Sequence, residues 1–338
     1  MEPAFFGVLL ALLDTFVRFV NANIPLFRRR WSVEEMPELK GRIAIVTGGN
    51  TGIGFFVCLE LARRGAKVYL ASRSESRAKA AIQKIKELIP DSQVDFIHFD
   101  LTILSSARKA ADSFISKEAR LDILINNAGI LGTPYKLSPD GIELQACNAT
   151  GHFALTSHLL PILKNTAVSF PDSHVRVVNV ASMAYLQAIT PDLSSLEGLN
   201  RADDSPMGGY NHSKLNNVLF TNELQKRLSD TSIRCLSVHP GFVASGITRD
   251  AFDNEVFAYF LMKIIRPFFA APCKGAITPL YAATSPEIEL KNLRASYLVP
   301  YGQVGKKTPL AEDKEGRLGQ QFWRLCEMLM KAAEDKQK

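Results

Sequence analysis

A glycine-rich turn between a short strand and a helix constrains the fold of this chain more than any other feature. The apolar run Ile43 to Thr47 predicts a buried strand, and the pattern from Ile53 to Arg64 predicts a helix. Glycines between them would permit a tight turn and a close approach of the backbone to a phosphate, beside the N–H groups of the helix N-terminus. The turn therefore predicts a dinucleotide site, with an ordinary strand-to-helix connection as the alternative. Its predicted contacts are Gly48, Asn50, Thr51, Gly52, Ile53 and Gly54.

Beyond this turn, short β-rich runs alternate with helical stretches, a pattern typical of parallel strands joined by crossover helices. The sequence predicts an α/β fold, with one Rossmann-type domain built around a doubly wound, parallel, seven-stranded sheet. We assign residues 39–300 to this domain, residues 1–38 to an apolar N-terminal segment and residues 301–338 to a C-terminal helical extension. The predicted strands are Ile43 to Thr47, Val68 to Ala71, Phe96 to Phe99, Ile123 to Asn126, Val175 to Val180, Cys235 to His239 and Ser296 to Val299.

The N-terminal segment carries an apolar stretch from Ala4 to Val20 that is interrupted by Asp14 and Arg18. The stretch falls short of the roughly 20 apolar residues of a membrane span, and its two charges share one helical face opposite an apolar stripe. Such a helix would lie in a membrane interface, and the basic cluster Arg28 to Arg30 would face anionic lipid. Residues 4–30 are therefore predicted to bind a membrane surface. The alternative is a helix packed on its own domain.

Charge and cysteine usage exclude several classes of function. The 338 residues include 40 Lys and Arg against 34 Asp and Glu, and the net charge of +6 is spread along the chain rather than gathered into a nucleic-acid-binding stripe. The five cysteines form no C-x-x-C motif, and the six histidines form no H-E-x-x-H motif. We therefore expect no nucleic-acid partner, no metal site and no disulfide framework.

The ends of the next three strands complete the predicted cofactor site. An acid at the end of the second strand would favour NAD(H), but this sequence has Ser72 followed by Arg73, whose guanidinium would pair with the 2′-phosphate of NADP(H). A solvated surface arginine is the alternative, and NAD(H) is the less favoured cofactor. After the third strand, Asp100 and Leu101 would hold the adenine. Small residues after the fourth strand would let the backbone pass close to the ligand, at Asn127, Ala128 and Gly129.

A tyrosine and a lysine four residues apart, Tyr210 and Lys214, mark the predicted reacting end. On a helix they share one face, and the ammonium would stabilise a phenolate that exchanges a proton with an alcohol or carbonyl oxygen. Ser182 follows the fifth strand and would hydrogen-bond that oxygen. Asn148, in a helix predicted from Leu144 to Leu159, would hold a water that relays protons to Lys214. Taken singly, these features have ordinary explanations, a helix-surface pair or a capping serine.

Taken together, the order and spacing of the motifs resemble the short-chain dehydrogenase/reductase family. The resemblance covers about Leu39 to Leu298 and includes TGGNTGIG, NNAG, Asn148, Ser182, YNHSK and His239-Pro240-Gly241. It implies hydride transfer between NADP(H) and an alcohol or carbonyl carbon. It further implies a catalytic tetrad on Ser182, Tyr210, Lys214 and Asn148.

The same resemblance implies further cofactor contacts. Asn126 would lie beside the cofactor, and the turn after the sixth strand would lie near the nicotinamide. The residues implied in that turn are Pro240, Gly241, Val243 and Ser245.

Two features depart from the simplest members of that family: the gap between Ser182 and Tyr210 is wide, and the chain has extensions at both ends. The wide gap together with Ser72-Arg73 is most similar to the branch of retinol dehydrogenases and WW-domain oxidoreductases. Many members of that branch are membrane-associated and act on lipophilic alcohols and ketones. The resemblance thus implies a membrane-associated enzyme whose catalytic domain faces the cytosol, at the endoplasmic reticulum or a lipid droplet. A cytoplasmic protein is the alternative.

Bulky apolar side chains crowd the stretch Phe252 to Ala271, which follows His239-Pro240-Gly241. They would form a lid over a lipophilic substrate resembling a retinoid, steroid or lipid, or else pack in the core. Phe322 to Met330 predicts an amphipathic helix that would cover the site, pair with a second subunit in a homodimer, or only pack. Two other hypotheses stay open: a soluble reductase of small carbonyl compounds, and a non-catalytic scaffold that senses NADP(H).

Overall fold

The computed structural model describes residues 30–201, 207–244 and 269–336, in which strands and helices alternate from Ile43 onward. The strands are β1 (Ile43–Thr47), β2 (Lys67–Ser72), β3 (Val94–His98), β4 (Ile123–Asn126), β5 (Arg176–Val180), β6 (Arg234–Val238), β7 (Tyr297–Val299) and β8 (Gln303–Val304). The helices are α1 (Gly52–Arg63), α2 (Glu75–Leu88), α3 (Leu104–Ile115), α4 (Cys147–Ser169), α5 (Leu196–Asn200), α6 (Gly208–Arg227), α7 (Pro272–Thr284), α8 (Glu287–Leu290), α9 (Pro309–Glu312) and α10 (Arg317–Asp335). Short 3-10 helices cover Val33–Glu35, Pro171–Ser173, Met183–Gln187 and Pro300–Gly302.

The eight strands form one sheet in the order β3-β2-β1-β4-β5-β6-β7-β8. All pairs from β3 to β7 are parallel, and β7 pairs with β8 in the antiparallel sense. The strand order reverses between β1 and β4, where ligands of open α/β sheets bind outside the carboxyl ends of the strands. The predicted doubly wound fold is confirmed. The predicted count of seven strands is one too low, because the two-residue β8 has no apolar run of its own.

Alternate residues of the strands enter two separate cores. Ile43 and Ile45 of β1 belong to a first core with α3, α4, α6 and α10, whereas Ala44 and Val46 belong to a second core with α1, α2 and α7. Because helices cover both faces of the sheet, the central strands β1 and β4 are buried along their whole length and read as apolar runs. Packing on both faces thus fixes the position of each strand end, and the loops of the site follow these ends.

Most predicted elements lie within one or two residues of those found, but the bounds of two helices differ more: α4, and α10, which runs from Arg317 to Asp335 around the predicted Phe322 to Met330. The helix predicted from Leu144 to Leu159 is α4, which starts later and continues to Ser169. Just before this start, Glu143 Oε2 accepts a hydrogen bond of 2.9 Å from the N–H of Ala146, the N-cap residue. The wide gap between Ser182 and Tyr210 contains α5 and the first residues of α6.

Residues on both sides of the assigned domain pack against it. The Trp31 ring meets the Tyr281 ring edge-on, with 5.5 Å between centroids, and Met36 is buried in the second core. At the other end, Trp323 of α10 packs on Phe153 of α4, with 4.8 Å between ring centroids. Among the three roles considered for Phe322 to Met330, packing on the catalytic domain's helices is therefore the one that the described residues show.

Two expectations concern residues that lie largely outside the described ranges. The predicted membrane segment is described only at Arg30, and the stretch Phe252 to Ala271 only from residue 269 onward. Across the part of the chain that the structure covers, no helix combines the length and the apolar character needed to cross a bilayer.

Candidate active site

The glycine-rich turn joins β1 to α1 at the carboxyl edge of the sheet. Gly48 has a φ of +67°, and a Cβ on Gly54 would collide with the Gly48 carbonyl oxygen and lie 2.6 Å from Asn127 Nδ2. Any side chain at residue 54 would therefore push α1 away from the strand. Thr51 is the N-cap of α1, and its side chain makes no capping hydrogen bond to the first turn. Close backbone approach and uncapped N–H groups fit the pyrophosphate of a dinucleotide.

Thr47, the last residue of β1, ties this turn to the segment after β4. Its Oγ1 accepts hydrogen bonds from the Asn127 N–H at 2.8 Å and from the Ala128 N–H at 2.9 Å. In return, Asn127 Nδ2 donates to the Thr47 carbonyl oxygen at 2.9 Å. Asn127 and Ala128, with Gly129 after them, are thus held beside the turn where the strand order reverses. Nothing in the sequence pattern around Thr47 indicates this role of its hydroxyl.

Asn126 does not line the turn with its side chain. Its amide is buried between α4 and β5, where it donates to Thr156 Oγ1 at 2.9 Å and to Asn179 Oδ1 at 2.8 Å. The backbone after Asn126, rather than its amide, is what approaches the glycines.

The end of β2 lies beside the turn as well. The Ser72 hydroxyl donates to Asn50 Oδ1 at 3.0 Å, and its oxygen accepts from the Ser74 N–H at 3.3 Å. Arg73 between these serines is exposed, and within the described ranges no hydrogen bond or ion pair engages its guanidinium. An unengaged guanidinium next to the turn fits an anionic group on the ligand.

At the end of β3, the Asp100 carboxylate hydrogen-bonds a residue two positions later in the chain. Asp100 Oδ1 accepts from the Thr102 N–H at 2.9 Å and from the Thr102 hydroxyl at 2.7 Å. Leu101 is buried where α4 comes close, since a Cβ on Gly151 would lie 2.9 Å from Leu101 Cδ1. The predicted adenine contact at Asp100 and Leu101 stays a prediction.

The residues predicted to react come together at the carboxyl end of β5. Tyr210 and Lys214 lie one turn apart on α6, and both are buried. Lys214 Nζ lies 5.4 Å from the centre of the Tyr210 ring and donates to the Val180 carbonyl oxygen at 2.9 Å. Because Val180 ends β5, this bond fixes α6 against the strand that leads to Ser182. The Ser182 hydroxyl hydrogen-bonds the Tyr210 side chain and also caps a 3-10 helix, accepting from the Ala184 N–H at 3.2 Å.

Burial governs the pKa values of this pair. It raises the pKa of Tyr210 to about 12, while the hydrogen bond from Ser182 acts in the opposite direction. Burial lowers the pKa of Lys214 to about 7. In this structure the loss of hydration of the two charged forms dominates both pKa values, and stabilisation of the phenolate by the lysine stays a prediction. A lysine that changes charge near neutral pH is suited to proton exchange.

Asn148, the second residue of α4, is fully buried. Its Oδ1 accepts from the Ile130 N–H at 2.7 Å, and its Nδ2 donates to the Ile130 carbonyl oxygen at 2.8 Å and to Ser213 Oγ at 3.1 Å. The Ser213 hydroxyl donates in turn to the Tyr210 carbonyl oxygen at 2.8 Å. The Asn148 amide thus links the segment after β4 to α6 through Ser213.

The turn after β6 closes the site from the far side. A Cβ on Gly275 of α7 would lie 2.7 Å from Val243 Cγ2 and 3.0 Å from Ile53 Cγ1, so Val243 and the start of α1 meet at one place. Pro240 and Gly241 precede Val243 and are partly exposed. Ser245 lies outside the described residues.

Known proteins are similar to this chain over most of its length. The short chain dehydrogenase family model matches residues 42–191. An uncharacterized oxidoreductase of Schizosaccharomyces pombe is 38% identical over 308 residues, which cover 87% of this chain and 86% of the relative. Retinol dehydrogenase 12 of Mus musculus is 37% identical over 285 residues, which cover 83% of this chain and 86% of the relative.

Two solved structures share this fold at sequence identities of 32% and 26%. An uncharacterized protein from Mycobacterium paratuberculosis is 32% identical with a TM-score of 0.68, and the match covers 90% of this chain and 98% of that one. The active-site complex of Pseudomonas aeruginosa RhlG with NADP is 26% identical with a TM-score of 0.61, covering 78% of this chain and 95% of that one. The chain therefore belongs to the short-chain dehydrogenase/reductase family, close to its retinol dehydrogenase branch, and is an enzyme that acts on CH–OH or C=O groups with a nicotinamide cofactor.

Proposed function

We propose that this enzyme transfers a hydride between NADP(H) and a lipophilic alcohol, aldehyde or ketone, such as a retinoid, a steroid or a related lipid. The observation that carries the proposal is the convergence of Tyr210, Lys214 and Ser182 at the carboxyl end of β5. A phenol, an ammonium and a hydroxyl on the same side of the sheet as the glycine-rich turn are the groups that a carbonyl oxygen needs when a hydride reaches its carbon.

Tyr210 is the proposed acid and base. A bound nicotinamide supplies or accepts the hydride, and the protein handles the proton. During reduction the Tyr210 phenol donates its proton to the carbonyl oxygen, and during oxidation the phenolate accepts the proton of the alcohol. Lys214, whose pKa is lowered to about 7 by burial, exchanges protons near neutral pH and stabilises the phenolate when charged. Ser182 donates a hydrogen bond to the substrate oxygen, and Asn148 holds α4 in register with α6 for the proton path.

The preference for NADP(H) over NAD(H) rests on the end of β2. Arg73 is exposed beside the Asn50–Ser72 hydrogen bond, and the position that would carry an acid for the ribose hydroxyls of NAD is Ser72. A guanidinium pairs with a 2′-phosphate through charge-assisted hydrogen bonds. Solved neighbours hold either cofactor, NADP in RhlG and NADH in a 3-ketoacyl-(acyl-carrier-protein) reductase of Brucella melitensis, so the proposal rests on Ser72 and Arg73.

A lipophilic substrate is supported by apolar side chains on the loops that leave the carboxyl edge of the sheet. Tyr135 and Leu137 follow β4, Ile189 follows β5 and Phe242 follows β6, and all four are exposed. Exposed apolar groups gathered around one edge favour apolar ligands. Mouse retinol dehydrogenase 12, named for a lipophilic alcohol, is consistent with this proposal.

We further propose that residues 4–30 bind a membrane surface and that the catalytic domain faces the cytosol, at the endoplasmic reticulum or a lipid droplet. The apolar stripe and the cluster Arg28 to Arg30 support this. Removal of residues 1–29 tests it, because this cut keeps Trp31 and Met36 in the second core. The shortened protein should leave the membrane fraction and keep its activity in detergent. Unchanged membrane retention would contradict the proposal.

The reaction itself is tested by measuring NADPH oxidation with detergent-solubilised protein and a panel of lipophilic and small carbonyl compounds. Tyr210→Phe should lower turnover by about 100-fold to 10,000-fold, because the proton donor is lost, while NADPH binding persists. Activity unaffected by this substitution would refute the proposed mechanism. Faster turnover of small soluble carbonyls would favour the soluble-reductase alternative, and NADPH binding without turnover would favour the scaffold.

A further inference from the structure

A buried histidine lies between the cofactor turn and Asn148, outside the proposed proton path. His152 is on α4, one turn after Asn148, and is 1% exposed. Its Nε2 lies 2.9 Å from Thr47 Oγ1, and its Nδ1 lies 2.8 Å from the main-chain oxygen of Asn148. The ring is stacked with Phe99, with 6.2 Å between centroids and 28° between planes. The two hydrogen bonds and the stacked Phe99 ring together fix the orientation of the imidazole ring.

The chemistry of the partners fixes where the proton of the ring is. A carbonyl oxygen can only accept, so Nδ1 carries the hydrogen that the Asn148 oxygen receives. A neutral imidazole has a single N–H, so Nε2 accepts from the Thr47 hydroxyl. That hydroxyl oxygen already accepts two backbone N–H groups, from Asn127 and Ala128. The Ile125 carbonyl oxygen also lies 3.5 Å from the Thr47 hydroxyl, but His152 Nε2 at 2.9 Å is the closer acceptor for its one hydrogen. Every donor and acceptor position of the Thr47 hydroxyl and of the His152 ring is then used.

A charged ring would break this arrangement. Protonated Nε2 would have to donate to a hydroxyl oxygen whose two acceptor positions are taken. Burial lowers the pKa of His152 to about 3, and the charge of Lys214 acts in the same direction. The hydrogen bonds and the burial therefore both favour the neutral ring near neutral pH.

We infer that His152 is a positioning residue that couples the floor of the cofactor site to Asn148. In its Nδ1–H form the ring holds the Asn148 carbonyl on one side and orients the Thr47 hydroxyl on the other. Thr47 in turn holds the two amides that follow β4 against the glycine-rich turn. For its effect on turnover, this inference rests on the proposed function. Its structural part does not.

The structural part is tested on the wild-type protein with no substrate present. Long-range ¹⁵N–¹H NMR of the histidine rings should show His152 as the Nδ1–H tautomer, unchanged between about pH 5 and pH 8. An Nε2–H tautomer, or protonation within this range, would overturn the inference. Because this experiment needs no turnover, its failure is distinct from failure of the proposed reaction.

The coupling is tested with His152→Phe, which keeps a ring beside Phe99 and removes both hydrogen bonds. Hydrogen exchange at the Asn127 and Ala128 amides should accelerate by about tenfold or more, and Thr47→Val should produce the same change. The matched control is His158→Phe, a half-buried histidine later on the same helix, which should leave both amides unchanged. Unchanged exchange in folded His152→Phe would overturn the coupling.

The functional part is tested by measuring NADPH binding and turnover separately. His152→Phe should weaken NADPH binding by roughly tenfold and lower kcat by a similar factor, because both ends of the link are released. His152→Gln, whose amide can donate to Asn148 and accept from Thr47, should recover part of both losses. A histidine that only fills space would give the opposite result: the phenylalanine variant would bind NADPH as tightly as the wild type at temperatures where both are folded.

Discussion

The cofactor side and the substrate side of the site are held in different ways. On the cofactor side, one hydroxyl group, that of Thr47 in β1, hydrogen-bonds both the segment after β4 and α4. On the substrate side, Ile189 and Phe242 stand exposed on the loops after β5 and β6. Hydrogen bonds between strand ends fix the part of the site that every substrate shares. In the proposed function the apolar loops determine which substrate binds, so substitutions on the two sides should have different consequences.

The largest effect should come from filling the contact between the turn and α1. Gly54→Val puts a side chain where the Gly48 oxygen and Asn127 Nδ2 already lie, so we expect a loss of about 1–3 kcal/mol in the free energy of unfolding and at least about 100-fold weaker NADPH binding. Urea unfolding and NADPH fluorescence titration measure both. The control is Gly65→Ala at the other end of α1, where φ is +84°. It should reduce stability and spare NADPH binding; equal binding losses in both variants would remove the distinction between the turn and the helix.

Lys214 is buried at the carboxyl end of β5, between the cofactor side and the substrate side. Lys214→Met should raise the free energy of unfolding by about 1–3 kcal/mol at pH 7 and abolish turnover. Unfolding returns the pKa of Lys214 from about 7 to 10.5, so the unfolded chain binds more protons between these values and wild-type stability rises with pH across them. The advantage of the variant should therefore shrink toward pH 10. Urea unfolding at several pH values measures it.

Lys226→Met, at an exposed position near the end of α6, is the control for this series. Its stability should stay within about 0.5 kcal/mol of the wild type at every pH, as is usual for surface substitutions. A pH-independent difference between Lys214→Met and the wild type would mean that the lysine stays charged in the folded protein.

Arg73→Glu should change cofactor choice and leave substrate choice alone. Loss of a charge-assisted pair with the 2′-phosphate, together with repulsion, should lower the ratio of NADPH to NADH efficiency by roughly 10-fold to 100-fold. Steady-state kcat/KM with each cofactor measures this ratio. Lys86→Glu, at an exposed position in the last turn of α2, makes the same charge change and should not alter the ratio. If the two variants behave alike, Arg73 is a general surface charge.

The smallest effect should come from the substrate side. Phe242→Ala removes a partly exposed ring, so KM for a lipophilic carbonyl should rise by about 3-fold to 10-fold, with NADPH affinity unchanged. Leu290→Ala, exposed on α8, is the control and should leave both constants unchanged. A loss of NADPH affinity in Phe242→Ala would show that the two sides of the site are not separable.

The sequence predicts the cofactor side of the fold well because its signals are local. The predicted bounds of β1 and β4 agree with the structure, since both strands are apolar runs buried on two faces and bounded by glycine or asparagine. The spacing of Tyr210 and Lys214 likewise predicts their shared face on α6. These inferences need only the period of a strand or a helix.

What the sequence does not predict depends on contacts between distant segments. The role of His152 requires Thr47, which is far away along the chain, to lie beside it. The low pKa of Lys214 follows from burial that helical spacing cannot reveal, and the same burial raises the pKa of Tyr210. Strand β8 consists of two residues that pair only because β7 is already in place.

The position of α10 has a consequence for the synthesis of the chain. Phe322 and Trp323 complete the first core against Phe153, on the helix that also carries Asn148. During translation, strands and helices up to β7 can assemble before these aromatic residues leave the ribosome. Until they do, the nascent enzyme exposes an unfinished apolar face, and this interval is when it should depend most on a chaperone.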